Sequence, residues 1–422
     1  MIDIKRIVGD TENTKQALLK RVPKEKLDLE HIVEVYNQKK ELQTQYDSKR
    51  GEQNSYNKQM SQLEKGNKEF LKLVKDLKIK ADEVKVIETQ LKEKDEELNG
   101  LVEILPNIPD EDVVDGGKES NKVIESVGDK PIFDFEMKDH LELGESLGIL
   151  DFKTASKVSG ASFCMYRGKG AQLEWALINY FIEEHLKDGY EMIIPPHIVN
   201  KDSAYTAGQL PKFKDDVYWV DDVHCLIPTA ETVLTNIYRN EILQESQLPK
   251  KFFAYTPCYR REAGSYRTDE RGLIRVHQFN KVEMYQFTTP EQSDKAFKEL
   301  FSKSKKLVDE LGLHYNIVQL AAGDCSAPAT RTIDIEVWMP AIKKYYEVSS
   351  ISNVRDYQAR RGNMKYRPNN GEKPQYMNTL NASGLATSRL MVSLIETYQQ
   401  PDGSILIPEV LRKYTGFDKI ER

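Results

Sequence analysis

The stretch "CYRREAGSYRTDERGLIRVHQFNKVE", Cys258–Glu283, combines a charged loop with strand-like sequence on both sides. Five arginines lie between Arg260 and Arg275, and acidic residues are interleaved with them. Apolar residues then resume from Ile274 onward, as in a half-buried strand. The pattern predicts two strands joined by a loop. A solvated turn is one interpretation of that loop, but five guanidinium groups are more than a simple turn needs.

The composition of the whole chain limits the classes of protein to which it can belong. Its 422 residues are enough for two or three domains. Charged residues make up 30% of the chain and its net charge is -6, which excludes a polybasic protein but not a local surface that binds nucleic acid. The four cysteines, Cys164, Cys225, Cys258 and Cys325, are scattered, so we expect neither a disulfide framework nor a structural zinc site.

The sequence has no recognisable targeting or membrane segment. The first residues, "MIDIKRIVGDTENTKQALLK", are charged and lack the apolar core of a signal peptide. No run approaches the roughly 18 apolar residues of a membrane-spanning helix. We therefore expect a reduced, soluble, cytoplasmic protein.

A long helical segment precedes the globular part of the chain. From about Leu27 to Leu105 the residues are mostly Lys, Glu, Gln, Asn and Leu, and apolar residues recur at spacings of three and four. The sequence "EKGNK", Glu64–Lys68, combines a helix stop with a turn. Two limbs of similar length predict an antiparallel helical hairpin with limbs of roughly 50 Å. A stiff spacer or a dimerisation rod would have the same pattern, and the nearly balanced charge does not decide between these roles.

The contact face of this predicted hairpin is not wholly apolar. Lys39 and Lys49 occupy its register in the first limb, and Lys80 and Lys94 do so in the second. These polar positions predict only moderate stability for the coiled coil.

The segment "LPNIPDEDVVDGGKESN", Leu105–Asn121, separates the hairpin from the rest of the chain. Two prolines, an acidic cluster and a glycine pair predict a linker. The composition becomes globular beyond it. We therefore expect an N-terminal domain over residues 1–110, with its helical arm at about 27–105, and a second domain over residues 111–422.

Two segments of the globular part carry polar side chains beside predicted strand ends. In "CLIPTAE" Thr229 and Glu231 follow an apolar strand and precede a helix, where Thr229 could equally be a helix N-cap. In "YYEVSS" Glu347 is expected to end a strand and is followed by Ser349 and Ser350. A carboxylate and hydroxyl groups at this spacing suit Mg²⁺ with a bound polyphosphate, although the serines could simply cap a turn.

The segment "TLNASGLATSRLMVSLIETYQ", Thr379–Gln399, is predicted to be a loop of small residues that leads into an apolar helix. Gly384 and its neighbours permit close approach of the backbone. Arg389 lies within the apolar helix and would be costly there unless it met a carboxylate or a phosphate.

Together these segments resemble the class II aminoacyl-tRNA synthetases, and specifically the bacterial-type seryl-tRNA synthetase family. The resemblance covers nearly the whole chain and rests on several motifs that follow the helical arm in a fixed order. They are "GYEMIIPP", "TAGQLPKF" (Thr206–Phe213), "PTAE" (Pro228–Glu231), "REAG…RGLIRVHQFNKVE", "EVSS" (Glu347–Ser350) and "NTLNASGLATSR" (Asn378–Arg389). Any one of these motifs alone would be a weak signal.

The resemblance implies a fold, an activity and partners. The fold would be α+β, with the coiled-coil hairpin followed by an antiparallel sheet of six or seven strands flanked by helices. The enzyme would be a homodimer with Pro196 at its interface. It would form seryl-adenylate from L-serine and ATP with Mg²⁺, and then transfer the seryl group to tRNA(Ser). The tRNA would be bound across the dimer by the arm, and tRNA(Sec) would be a further possible substrate.

The resemblance also implies which residues bind ATP. Arg260 would bind the α-phosphate and the serine carboxylate, Glu262 the adenine amino group, and Phe279 the adenine ring. Arg389 would bind the γ-phosphate. The full implied set is Arg260, Arg261, Glu262, Arg271, Val276, Phe279, Glu347, Val348, Ser349, Ser350 and Arg389. The catalytic residues would be Arg260, Glu262, Glu347 and Arg389.

The same resemblance implies the serine and metal sites. Glu347 and Ser350 would hold Mg²⁺ at the phosphates, and no zinc is expected. Glu231 and Glu283 would be the acidic groups that meet the α-ammonium group of serine. The implied serine contacts are Thr229, Ala230, Glu231, Arg260, Glu283 and Ser383.

The chain departs from the usual family pattern at several positions. Arg261 replaces a serine, and the loop tip over residues 265–270 is unusual. Asn378 stands where histidine is common, and Ala382 and Ser388 stand where glycine is usual. These departures give neither Arg261 nor Arg267 a fixed role, although the resemblance includes Arg261 among the ATP-binding residues. Two other functions stay open: a paralogue that loads a carrier protein, and a non-catalytic tRNA-binding protein.

Overall fold

The computed structural model describes residues 1–261 and 270–422. The chain divides into two compact units, one comprising Ile2–Pro106 and the other Asn107–Arg422 together with Met1. This division lies a few residues before the predicted boundary. No helix in the described part of the chain is both long and apolar enough to cross a membrane.

The first unit consists of helices, two of which form the predicted hairpin. The helices are α1 (Ile4–Gly9), α2 (Thr11–Leu19), α3 (Leu29–Met60) and α4 (Lys68–Glu103). The Asp28 side chain accepts a hydrogen bond from the backbone N–H of His31 at the start of α3, and Asn67 accepts one from Phe70 at the start of α4. The two long helices lie where the apolar spacing predicts them.

Ion pairs between the two helices explain the lysines in the contact face of the hairpin. Lys49 Nζ lies 2.8 Å from Glu83 Oε2, and Lys80 Nζ lies 2.5 Å from Glu52 Oε2. Lys39 is paired with Asp95 in the same way. The alkyl parts of these lysines can therefore cover the helix contact while each ammonium group meets a carboxylate.

The second unit contains the remaining helices and all of the described strands. Its helices are α5 (His140–Ser146), α6 (Phe152–Ser159), α7 (Lys169–Lys187), α8 (Lys201–Thr206), α9 (Glu231–Leu234), α10 (Ser293–Glu310), α11 (Tyr357–Arg361), α12 (Thr387–Thr397) and α13 (Glu409–Thr415). Its strands are β1 (Lys122–Val127), β2 (Leu150–Asp151), β3 (Met165–Tyr166), β4 (Glu191–Ile193), β5 (Ile198–Asn200), β6 (His224–Leu226), β7 (Ile242–Gln244), β8 (Lys250–Tyr259), β9 (Gln278–Thr288), β10 (Tyr315–Gln319), β11 (Arg331–Met339), β12 (Lys344–Arg355), β13 (Lys365–Arg367), β14 (Gln375–Tyr376), β15 (Asn378–Ala386), β16 (Ile405–Leu406) and β17 (Lys419–Ile420).

One large sheet organises this unit. Within the described residues it has eight strands in the order β1-β10-β11-β12-β15-β9-β8-β4, and its pairs are antiparallel except β4 with β8. The fold class is therefore the α+β arrangement that was predicted, but the sheet is larger than the six or seven strands expected. Helices α7, α10 and α12 pack against it around a common apolar core.

The linker prediction is wrong for the residues that begin the second unit. Asn107 is buried, and its Nδ2 donates to the carbonyl groups of Pro328 and Val354 at 2.9 and 2.8 Å. Asp110 forms ion pairs with Arg331 and Arg355. The prolines and acidic residues that suggested a solvated linker instead fix this segment to the sheet.

The predicted loop of small residues before Arg389 is also wrong. Residues Asn378–Ala386 form β15, a central strand between β12 and β9. Small residues suit this strand because it is covered closely: a Cβ atom at Gly384 would lie 2.3 Å from His185 Nε2. Composition alone did not distinguish a tightly covered strand from a loop.

Glu347 does not end a strand, as the sequence suggested, but lies near the start of β12. The pairing of β12 with β11 shifts there, since Glu347 pairs with Glu336 but Ser349 pairs with Ile335. Val348 is thus the extra residue of a β-bulge. Without the bulge, Glu347 and Ser350 would point to opposite faces of the sheet.

Candidate active site

A cavity of about 510 Å³ lies against one face of the sheet. Its lining includes Lys281 and Glu283 from β9. The alternate residues of that strand, Val282 and Met284, belong to the apolar core. In β15, Asn381 likewise lines the cavity while its neighbours are buried in that core. The alternation of a strand therefore separates a polar cavity face from the face that packs against helices.

Two carboxylates form the acidic part of the cavity. Glu283 is fully buried, and its Oε2 lies 2.5 Å from Lys281 Nζ. Glu231 accepts a hydrogen bond from Gln358 Nε2 at 2.7 Å. Asn381 Nδ2 contacts both carboxylates, at 3.0 Å from Glu283 and 3.3 Å from Glu231. This end of the cavity is suited to a cationic group.

Burial raises the pKa of Glu231 to about 7, and repulsion from Glu283 acts in the same direction. Lys281 and Arg260 oppose this shift through their positive charges. A ligand that brought a further positive charge would favour the ionised carboxylate. The site therefore links cation binding to loss of a proton.

Hydroxyl groups lie beside this acidic pair. Thr229 lines the cavity, and its Oγ1 accepts a hydrogen bond from the backbone N–H of Glu231 at 3.2 Å. The N-cap position of α9 is Ala230 and carries no side-chain cap, so Thr229 is not the N-cap that the sequence also allowed, although its hydroxyl group contacts the first residue of the helix from the cavity wall. Ser383 also lines the cavity. The carbonyl group of Ser383 accepts hydrogen bonds from the hydroxyl groups of Ser304 and Ser349 at 3.0 and 2.6 Å, which fixes its backbone.

Arg260 and Phe279 both line the cavity and contact each other. The guanidinium carbon of Arg260 is 5.1 Å from the centre of the Phe279 ring, within the range of a cation–π contact. Arg260 Nε donates to the carbonyl group of Pro228 at 3.4 Å. The remaining guanidinium donors can meet an anion in the cavity.

Arg389 and Glu347 are a second charged pair in the lining. Their closest charged atoms, Arg389 Nη1 and Glu347 Oε2, are 3.6 Å apart. Arg389 also donates to the carbonyl groups of Ile274 and Glu347, each at 3.1 Å. The cost of placing an arginine near the apolar core is thus reduced by carbonyl groups and a carboxylate, while part of the guanidinium group stays accessible.

An adjoining cavity of about 470 Å³ shares Glu347, Ser350 and Arg389 with the first and adds Asp334. Burial raises the pKa of Asp334 well above its ordinary value, and the charge of Glu347 raises it further. Its Oδ1 atom is buried without a hydrogen-bond partner. An orphaned carboxylate oxygen beside a second carboxylate and a hydroxyl group is a donor set that fits a hard divalent cation.

Among residues 1–261 and 270–422, no group of three or more His, Cys, Asp and Glu side chains is arranged to hold a metal ion. Mg²⁺ does not require such a group, because it commonly takes one or two carboxylates and completes its ligands with phosphate oxygens and water. The residues present therefore fit a magnesium ion that arrives with a polyphosphate.

The cavity brings together most, but not all, of the residues singled out from the sequence. Those that line it are Thr229, Glu231, Arg260, Val276, Phe279, Glu283, Glu347, Ser350, Ser383 and Arg389. Ala230, Arg261, Arg271, Val348 and Ser349 are not in its lining. Arg271 instead pairs with Asp139 at 2.9 Å, and the buried side chains of Val348 and Ser349 face the interior. Glu262 and Arg267 lie outside the described residues.

The sequence reasoning missed Lys281 and Asn381. Each precedes a predicted site residue by two positions, Lys281 before Glu283 and Asn381 before Ser383. Extending the period-2 pattern of a strand from those two residues would have found both. Gln358 had no comparable signal, since it reaches Glu231 from α11, far along the chain.

The comparisons with known proteins agree with this architecture. Residues 213–398 match the family described as "tRNA synthetase class II core domain (G, H, P, S and T)", so the chain carries a class II aminoacyl-tRNA synthetase core. Residues 1–109 match the "Seryl-tRNA synthetase N-terminal domain". The chain belongs to the seryl-tRNA synthetase family.

Full-length relatives support this assignment. "Serine--tRNA ligase 2" of Clostridium acetobutylicum is 51% identical, with 100% of both chains covered. "Serine--tRNA ligase" of Desulforapulum autotrophicum is 43% identical, with 99% of this chain and 98% of the relative covered. The crystal structure of seryl-tRNA synthetase from Pyrococcus horikoshii complexed with ATP matches with a TM-score of 0.93 at 32% identity, and covers 100% of this chain and 99% of its own.

Proposed function

We propose that this protein is a serine–tRNA ligase, which activates L-serine with ATP and transfers the seryl group to tRNA(Ser). The observation that carries the proposal is the pair of carboxylates, Glu231 and Glu283, in one cavity with the hydroxyl-bearing residues Thr229 and Ser383. A free amino acid with a small hydroxyl side chain needs these groups: acidic oxygens for its ammonium and polar partners for its hydroxyl. Identity of 51% to a serine–tRNA ligase over the full chain supports it.

In the first step the serine carboxylate attacks the α-phosphate of ATP, a new carboxyl O–P bond forms, and the bond to pyrophosphate breaks. No general base is needed, because the carboxylate is already ionised at neutral pH. Arg260 binds the α-phosphate and orients the carboxylate with its planar fork, and Phe279 packs against adenine. Arg389 offsets the charge at the γ-phosphate. ATP contacts by Glu262, Arg261 and Arg271 remain part of the proposal.

Glu347 and Ser350 would hold Mg²⁺ beside the phosphates, with Asp334 close to them. When bound, the ion would stabilise the negative charge on the departing pyrophosphate. The bulge at Val348 is what allows Glu347 and Ser350 to face the same cavity.

In the second step the terminal ribose hydroxyl group of the tRNA attacks the carbonyl carbon of seryl-adenylate, and AMP leaves. The helical arm, α3 and α4, recognises the backbone and shape of tRNA(Ser). This agrees with an arm whose acidic and basic residues nearly balance and in which three lysines, Lys39, Lys49 and Lys80, are paired with carboxylates of the facing helix. The tRNA for selenocysteine is a further candidate substrate.

The enzyme acts as a homodimer, with the tRNA bound across it. Support comes from apolar side chains exposed on α7 and after β4, since Trp175, Ile194 and Ile198 are 53%, 85% and 51% exposed. Ile194 and Ile198 lie two positions before and after Pro196, and exposed apolar residues beside that proline suit a protein interface. Burying them against a second copy would remove them from water.

Selection of serine follows from the polar lining. A site that hydrogen-bonds a substrate hydroxyl group rejects alanine by about 10⁴ or more, because its polar groups would be left unpaired. Threonine carries the same hydroxyl group as serine, so hydrogen bonding does not reject it. The pocket must exclude threonine because there is no room for its additional methyl group.

The experiment that tests activation is amino-acid-dependent exchange of pyrophosphate into ATP. We expect exchange with serine and far less with alanine or threonine. Absence of exchange with any amino acid would contradict the enzyme and favour a non-catalytic tRNA-binding protein. Exchange without acylation of total tRNA would favour a paralogue that loads a carrier protein.

A further inference from the structure

A buried histidine and glutamate lie behind the proposed ATP site and have no role in the mechanism above. His140 begins α5 and is 2% exposed, and Glu396 lies on α12 and is fully buried. His140 Nδ1 lies 3.0 Å from Glu396 Oε1, which also accepts the backbone N–H of His140 at 3.1 Å. The second carboxylate oxygen of Glu396 accepts the backbone N–H of Ala341 at 3.0 Å.

The hydrogen bonds around His140 define the protonation of its ring. The backbone N–H of Leu273 donates to Nε2 at 3.3 Å. A backbone N–H can only donate, so Nε2 carries no proton and the ring is neutral with its proton on Nδ1. Nδ1–H then donates to Glu396. The histidine thus connects a carboxylate on α12 with the backbone at Leu273.

Leu273 belongs to the segment by which the chain returns from the arginine-rich loop to the cavity. Gly272 has φ +68° and packs so closely that a Cβ atom there would lie 2.2 Å from His140 Nε2. The carbonyl group of Ile274, which follows Leu273, accepts a hydrogen bond from Arg389 Nε at 3.1 Å. Two residues of α12 therefore hold the segment Gly272–Ile274. Glu396 acts through His140, which contacts Gly272 and Leu273, and Arg389 bonds directly to Ile274.

The residues that follow this segment reach the cavity. Arg275 and Val276 both line it, as does Arg389. Arg275 Nη1 also pairs with Glu270 at 3.0 Å, at the described end of the loop. A shift of Leu273 would therefore move Arg275 and Val276. It would leave the proposed serine-binding carboxylates in place, because Glu231 lies on α9 and Glu283 lies on β9.

We infer that His140 is a positioning residue of the ATP site, holding Leu273 through its unprotonated Nε2 while Glu396 fixes the ring. The inference rests on the proposed function for its kinetic consequence. It predicts that loss of the acceptor at the Nε2 position weakens ATP binding and leaves serine binding unchanged.

Two conservative variants separate the two hydrogen bonds of the ring. His140→Asn keeps a donor at the Nδ1 position but cannot reach Leu273, whereas His140→Gln keeps an acceptor at the Nε2 position. The matched control is His224→Asn, because His224 also pairs with a carboxylate, Asp221 Oδ2 at 2.9 Å, but is 44% exposed and outside the cavity lining.

In pyrophosphate exchange we expect His140→Asn to raise KM for ATP by about 3- to 10-fold, the loss of one hydrogen bond. KM for serine should not change, His140→Gln should recover most of the effect, and His224→Asn should match the wild type. An unchanged KM for ATP in His140→Asn would overturn the inference. So would a parallel loss of serine binding, which would indicate general structural damage.

A spectroscopic measurement tests the inference without requiring activity. The chain has 7 histidines, and ¹⁵N-labelled histidine gives signals that report the tautomer of each ring. The signal absent from His140→Asn should be that of a neutral ring with its proton on Nδ1. A ring protonated on Nε2 would overturn the inference, even if the wild type lacked exchange activity and the proposed function had failed.

Discussion

One amide group, that of Asn381, contacts both carboxylates of the proposed serine site, since its Nδ2 atom is 3.0 Å from Glu283 Oε1 and 3.3 Å from Glu231 Oε2. Asn381 holds the two acidic side chains together without neutralising them. Lys281 compensates the charge of Glu283. Burial and, after it, repulsion from Glu283 still raise the pKa of Glu231, so the site is suited to a cationic ligand.

Serine binding should depend on pH through Glu231. Its pKa is about 7 in the free protein, and the ammonium group of serine favours the ionised form, so binding releases a proton. KM for serine should therefore fall as pH rises from 6 to 8 by roughly 10-fold, whereas KM for ATP should change less. Steady-state exchange rates across this range measure both constants. A pH-independent KM for serine would contradict the raised pKa.

Replacing Asn381 tests its contact with both carboxylates. Asn381→Ala leaves the two side chains without a shared donor, and we expect KM for serine to rise by about 10- to 100-fold. Asn370→Ala is the matched control, because Asn370 lies in an exposed segment and accepts one local hydrogen bond from Glu372. Equal KM values in both variants would show that the amide has no part in binding.

Replacing Glu347 tests the proposed magnesium site. Glu347→Gln keeps the size of the side chain but removes its charge, so we expect the Mg²⁺ concentration for half-maximal exchange to rise by about 10-fold or more. Glu421→Gln, at an exposed ion pair with Lys419, should leave this concentration unchanged. The metal proposal would be contradicted by a Glu347→Gln variant with wild-type magnesium dependence.

Glu174 should make stability depend on pH. Its Oε1 accepts hydrogen bonds from Thr387 and Asn280, at 2.5 and 2.8 Å, but burial still raises its pKa from 4.5 to about 7. The unfolded chain ionises first, so this group lowers the free energy of unfolding as pH rises from about 4.5 to about 7, by up to about 3 kcal/mol, and the effect levels off above that pH.

The measurement for this prediction is the melting temperature between pH 5 and 8. As pH rises over this range, the melting temperature should fall less in Glu174→Gln than in the wild type. Glu231, whose pKa is also raised, contributes the same pH dependence in both proteins. Identical pH profiles would contradict the prediction.

Deleting the arm tests what the hairpin does. Removal of residues 29–98 with a short closing turn should leave serine activation largely intact, because the cavity is lined by residues of the second unit alone. Charging of tRNA should collapse. If charging survived, the arm would be only a spacer.

The hairpin could be predicted from the sequence because its apolar periodicity extends over both limbs, whereas the α+β fold class was implied by the resemblance to the seryl-tRNA synthetase family. Spacings of three and four persist through both limbs, and the turn at Glu64–Lys68 is explicit. The interior strand β15 could not be predicted in the same way. The small residues of this strand are typical of a loop. The structure shows why a small residue is needed within it, since His185 packs directly on Gly384.

The site was predictable where it lies within a motif and not where it depends on contacts between distant elements. Thr229, Glu231 and Arg389 were found from local pattern and resemblance, and all three line the cavity. Gln358 was not found, because nothing near it in the sequence indicates its contact with Glu231. Nor does the sequence reveal the bulge that turns Glu347 toward Ser350.

The central claim is that the site selects serine for transfer to tRNA, and acylation of total tRNA with each labelled amino acid tests it most directly. The account predicts acid-precipitable label that depends on ATP and tRNA with serine, and essentially none with alanine or threonine. Label from another amino acid, or none from serine while pyrophosphate exchange with serine persists, would contradict it.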